Sequence, residues 1–74
     1  MRTNVDEYVN SHGKAPRGSG MWAFEVNGTD GDGRYTSETY FISGKFADAK
    51  REAARRLKQD VGGVKQVVEV KVLP

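Results

Sequence analysis

The order of patterns along the chain predicts an α+β fold: a three-stranded antiparallel sheet in ββαβ order, with one helix packed on one face. Three observations carry this expectation. Residues 44–58, GKFADAKREAARRLK, repeat with helical period. Residues 21–27 and 34–43 read as two strands around a glycine-rich turn. Residues 64–73, VKQVVEVKVL, return as a valine-rich strand. The expected division is a flexible N-terminal arm over residues 1–20 and a ββαβ domain over residues 21–74.

Within the arm, residues 1–10 suit a short helix. Thr3 is a plausible N-cap, Asp6 and Glu7 fit a first turn, and Val5, Tyr8 and Val9 form a small apolar patch. One or two turns are unstable alone in water, so the segment either docks or frays. Residues 11–20, SHGKAPRGSG, have linker composition and are made basic by His12, Lys14 and Arg17. Their spacing lacks the glycine and four intervening residues that precede the lysine of a phosphate loop.

In the first strand, Trp22, Phe24 and Val26 point one way, and Met21, Ala23 and Glu25 the other. Trp22 is expected as a core anchor. The loop NGTDGDG should close a hairpin. Asn27 to Thr29 fits a glycosylation sequon, which matters only in a secreted chain. Asp30, Asp32 and Gly33 resemble the start of a calcium loop, but Phe41 stands where the closing glutamate belongs. The second strand offers two competing apolar sets, Tyr40 with Ile42 and Tyr35 with Phe41, which a bulge would reconcile.

The helix then buries Phe46, Ala49, Ala53 and Leu57 on one stripe, with Arg51, Arg55 and Lys58 opposite. Asp48–Arg51 and Glu52–Arg56 have ion-pair spacing, and Gly62 and Gly63 end the element. In the last strand Val64, Val68, Val70 and Val72 share the covered face, leaving Lys65, Val67, Glu69 and Lys71 on the open one. Placing this strand beside the first makes the whole sheet antiparallel, with the strand of Trp22 at its centre.

The 74 residues carry a net charge of +2 and no cysteine. That is one small domain without disulfide or cysteine-ligated zinc, and an intracellular, cytoplasmic setting is the expectation. No apolar run reaches the ~20 residues of a membrane span. The charge balance is not the dense footprint of a dedicated DNA binder. One histidine, in the arm, leaves Ser37 and Ser43 without a base, so catalysis is not expected. No cofactor or metal is expected either.

Trp22-Ala23 opens the first strand, Tyr40-Phe41 lies in the second, Ala49, Glu52 and Ala53 lie on the helix, and Val68 to Pro74 close the chain. In this order and spacing, Trp22 to Pro74 resembles the small inhibitors of host RNA polymerase found in podovirus-type coliphages. The resemblance implies binding to the polymerase jaw, partly through basic residues of the last strand. Lys71 matches one such position, Glu69 occupies the other, and the helix is basic where the family's is acidic. A second, more local likeness runs through Trp22 to Val26 and Gly44-Lys45-Phe46 to Glu52-Ala53. It resembles the arm-site DNA-binding domain of phage integrases, in which three strands precede the helix.

The function expected is a non-catalytic binding protein, a phage host-takeover factor acting on a host protein such as RNA polymerase. Arg34, Lys65 and Lys71, on or beside the open face, would carry the contact, helped by Lys14 and Arg17. The alternative is nucleic-acid binding, with Tyr35 or Phe41 stacking on bases and Arg51, Arg55 and Lys58 on phosphates. The expected oligomeric state is a monomer or weak dimer.

Overall fold

The computed structural model describes residues 1–74. Its elements are β1 (Arg2–Asn4), α1 (Asp6–His12), β2 (Ser19–Thr29), β3 (Tyr35–Lys45), α2 (Phe46–Asp60) and β4 (Gln66–Val72). The class is α+β as expected, and β2 lies inside the sheet. The strand count is not as expected: the sheet has four strands in the order β1-β4-β2-β3. It is also mixed, because β1 runs parallel to β4, with Arg2 opposite Glu69 and Asn4 opposite Lys71. Residues 1–20 are thus not a loose arm. They supply an edge strand, a docked helix and the first two residues of β2. Three residues, RTN, one charged and two polar, are too few to show a period of two, and their partner lies at the far end of the chain.

β2 and β3 form a regular ladder from Ser19 opposite Lys45 to Thr29 opposite Tyr35. Asp30 shapes the turn between them, its Oδ1 accepting from the N–H groups of Asp32 (2.8 Å) and Arg34 (3.2 Å). No bulge separates the two apolar sets of β3. They occupy opposite faces of one regular strand: Tyr40 and Ile42 are buried beneath α2, and Tyr35 and Phe41 stand exposed on the other side.

The bulge lies in β4 instead. Asn27 pairs with Glu69 but Gly28 pairs with Val67, so Val68 is the extra residue. The facing of β4 therefore reverses before Val70. Val67, expected on the open face, is 6% exposed in the core, and Val68, expected inside, is 37% exposed. Gly28 shows what the irregularity accommodates. A Cβ there would lie 2.9 Å from Leu57 Cδ2 and 2.9 Å from Val64 Cγ1, so the bare backbone lets α2 and its following loop close onto the sheet.

The core is the layer between α2 and the sheet. Phe24, Val26, Val70 and Val72 meet Ala53 and Leu57, with Ala49 beside them, and all are shielded from solvent. Removing a side chain such as Leu57 from water contributes about 1.5–3 kcal/mol. Trp22 anchors one end of the core as expected, donating its indole N–H to Gly44 O at 2.9 Å and meeting Phe46 edge-on with centroids 5.0 Å apart. α2 starts and ends two residues later than the periodicity suggests, since Gly44 and Lys45 remain paired with Gly20 and Ser19. Its exposed first N–H, from Phe46, finds Gly18 O at 2.9 Å. The two expected ion pairs form, Arg51 with Asp48 and Arg56 with Glu52, and Arg55 joins Glu52 at 2.6 Å.

α1 begins after Val5, not after Thr3, which lies in β1. Asn4 Oδ1 accepts from the Asp6 N–H (3.1 Å), and Gly13 closes the helix with φ of 72°, its N–H reaching Val9 O. Val5 and Tyr8 pack on the core, with the Tyr8 ring 5.8 Å from that of Trp22. That apolar anchor holds a helix too short to persist alone.

Candidate binding face

α2 covers one side of the sheet. The other side presents Met21, Ala23 and Glu25 of β2, Tyr35, Thr39 and Phe41 of β3, and Glu69 and Lys71 of β4, by alternation along the paired strands. At the end where β2 begins and β4 finishes, this surface turns apolar. The Leu73 N–H donates to Ala23 O at 2.9 Å, and Phe41 is the partner of Ala23 on the opposite side. Leu73, Ala23 and Phe41 thus form one row across three neighbouring segments. Met21 lies diagonally from Phe41, one pair along, opposite Ser43, whose hydroxyl donates to the Met21 sulfur at 3.3 Å. Met21 is 72% exposed and Phe41 70%. Large apolar side chains that open to water and lie side by side mark an interaction surface more than a folding requirement.

A shallow groove of about 470 Å³ borders this row at the sheet's end, lined by His12, Lys14, Arg17, Met21, Trp22 and Leu73 among others. His12 stacks on Tyr8, with ring centroids 4.1 Å apart. Lys14 and Arg17 take part in none of the chain's ion pairs. They are therefore free to meet an outside carboxylate or phosphate.

The charged residues further along the face are already satisfied. Lys71 Nζ sits 3.0 Å from Glu7 Oε1 and ties α1 to β4. The Glu7 carboxylate raises the Lys71 pKa above the ordinary lysine value. Arg2 pairs with Glu69 and holds that carboxyl below its usual range. Arg2 and Lys71 are balanced by Glu25 and Glu69, and Lys45, at the end of β3, takes part in no ion pair.

The residues expected to act together are dispersed. Lys14 and Arg17 flank the apolar row. Lys71 is on the open face but engaged by Glu7. Arg34 is at the hairpin tip beside Tyr35, its N–H bound to Asp30. Lys65 is not on the open face: it lines a hollow with Arg55, Lys58 and Met1 on the helix side. The alternative set divides in the same way. Tyr35 and Phe41 belong to the open face, whereas Arg51, Arg55 and Lys58 belong to α2, with Arg51 paired to Asp48 and Arg55 sharing Glu52 with Arg56. Met21 and Leu73 were missed as site residues. Their signal was the strand alternation that already placed Met21 opposite Trp22, once Trp22 is assigned to the core.

Tyr40, the one group displaced mainly by burial, is structural: its hydroxyl donates to Asp60 Oδ2 at 2.9 Å and fastens the end of α2 to β3. No helix is long and apolar enough to cross a membrane. The chain matches no family model, no curated protein and no solved structure.

Proposed function

We propose that this chain is a non-catalytic binding module whose partner is a protein. The observation that carries the proposal is the row of exposed Met21 and Phe41 and half-buried Leu73 beside two cations without internal partners, Lys14 and Arg17. Such a surface suits a segment that offers apolar side chains with carboxylates at one end. The more specific form is a phage factor that modulates host machinery, with RNA polymerase as the target. The likeness of Trp22 to Pro74 to polymerase inhibitors supports it. Because Glu7 occupies Lys71, the contact rests on the apolar row and the Lys14–Arg17 segment, not on the last strand alone. Nucleic acid is the second reading, favoured by Tyr35, 74% exposed and adjacent to Arg34.

The test is capture from bacterial lysate, with and without nuclease treatment, by the immobilised full chain and by a Met21→Ser/Phe41→Ser variant. Both positions are exposed, so the variant should keep its fold and lie within about 0.5 kcal/mol of the parent. A protein, polymerase subunits being the first candidates, should be retained by the parent and lost by the variant. Retention that disappears on nuclease treatment would transfer the assignment to nucleic acid.

A further inference from the structure

β3 is an outer strand, and its hydrogen-bonding direction follows from two contacts that bracket its ladder with β2. The Asp30 N–H reaches Arg34 O at one end, and the Phe46 N–H reaches Gly18 O at the other. Both pairs share the register of the ladder between them, in which Trp22 faces Ile42 and Phe24 faces Tyr40. Antiparallel ladders alternate bonded and non-bonded pairs. The even-numbered residues of β3 therefore bond to β2. Tyr35, Ser37, Thr39, Phe41 and Ser43 turn their N–H and C=O groups outward to the unpaired edge.

This edge lacks the usual protection. Eleven residues run without a bulge or a proline, and between Tyr35 and Gly44 the single charged side chain is Glu38. The opposite edge of the sheet, β1, is three residues long. The sequence of β3 is also chemically symmetric about Glu38. Ser37 and Thr39 are small hydroxyls one step away on either side. Thr36 and Tyr40 carry hydroxyls two steps away, and Tyr35 and Phe41 are aromatic three steps away. A strand that reads alike in both directions presents matched residues to its own antiparallel copy, except at the axis itself, where Glu38 faces Glu38 and the like charges weaken the pairing.

We infer that the partner of the β3 edge is a second copy of this chain, paired antiparallel to it across a two-fold axis at Glu38. In that register Tyr35 of each copy stands opposite Phe41 of the other, and Ser37 opposite Thr39. These are bonded pairs, each exchanging two backbone hydrogen bonds. The two exposed aromatics thereby gain cross-strand partners, and the hydroxyl pairs add to them. The two open faces become one continuous surface, with both copies of α2 on the reverse side. The interface is a strand edge, smaller than the roughly 800 Å² per partner of a standard stable complex, so the association is weak and concentration-dependent. It shares Phe41 with the apolar row but rests on the backbone edge of β3, so Thr39→Pro and the cysteine variants test it without touching Met21, Phe41 or Leu73, and it stands whether or not the proposed protein partner exists.

Two measurements test it. In sedimentation equilibrium of the full chain, the mass should rise from the 8.2 kDa of one chain toward twice that value as concentration approaches about 1 mM. Thr39→Pro should remove the rise, because it deletes an outward N–H that no other strand uses in the monomer. The second measurement exploits the absence of cysteine. Glu38→Cys places the two thiols directly across the axis, at a non-bonded pair whose Cα separation of about 4.5 Å suits a disulfide. Thr39→Cys puts its thiols more than about 7 Å apart at the Cα atoms, beyond bridging range. Under mild oxidation Glu38→Cys should form covalent dimer well ahead of Thr39→Cys. A mass that stays at the monomer value throughout, a folded Thr39→Pro variant that still dimerises, or equal crosslinking of the two cysteine variants would overturn the inference.

Discussion

Gly28 is the residue on which the fit of helix and sheet turns. Its backbone conformation is open to any amino acid, so what it supplies is space. Gly28→Ala brings a Cβ to 2.9 Å from Leu57 and Val64 and 3.1 Å from Gln66 O, and two of those neighbours are side chains of the core or its rim. Overpacking of this kind costs about 1–3 kcal/mol. Gly20→Ala, where the new Cβ meets nothing within 4 Å, should be tolerated, and chemical denaturation of the two variants compares them directly. Tyr40 makes the second residue-scale argument. Burial first, and the bond to Asp60 next, push its pKa from 10.0 up to about 12. The folded state therefore keeps the phenol proton where the unfolded chain releases it. This contribution is complete below about pH 10 and is lost as pH rises from about 10 to about 12. Denaturation midpoints measured across that window should fall less steeply for Tyr40→Phe than for the parent.

Among the elements, β4 shows how one extra residue redirects a strand. Alternation counted back from Val70 and Val72 puts Val68 inside, but the bulge at Asn27/Gly28 exchanges it for Val67. Val67→Ser should cost about 1–3 kcal/mol by leaving a hydroxyl in an apolar site and a small void beside it. Val68→Ser should stay within about 0.5 kcal/mol. The reverse order, read by urea denaturation, would restore the regular strand. α1 illustrates a different dependence. Its residues show a helical start and an apolar patch, but its persistence comes from Tyr8 on Trp22 and Glu7 on Lys71, contacts with elements much later in the chain. α2 needs less help, because its stripe of Ala49, Ala53 and Leu57 is long enough to declare itself.

At the scale of the whole molecule, electrostatics separates the two functional readings. The helix arginines are paired with Asp48 and Glu52, Lys71 with Glu7, and the unpaired Lys14, Arg17 and Lys45 gather where β2 begins, away from Arg34 at the hairpin tip and Lys50, Lys58 and Lys65 on the helix side. Binding through this surface should therefore weaken shallowly with salt, with a log–log slope no steeper than about three phosphate-equivalent contacts. A titration of the captured partner from low to high salt measures that slope, and a much steeper one would indicate nucleic acid. The sequence by itself determined the α+β class, the hairpin, the long helix with its buried stripe, and the central place of β2. Each of these is written in periodicity or turn chemistry within a window of a few residues. Only the tertiary structure decided that Arg2–Asn4 joins the sheet, that Val67 replaces Val68 inside, that Lys65 leaves the open face and that Lys71 is taken up by Glu7. Those outcomes depend on residues distant in the chain meeting in space, and local patterns carry no record of which distant neighbour arrives.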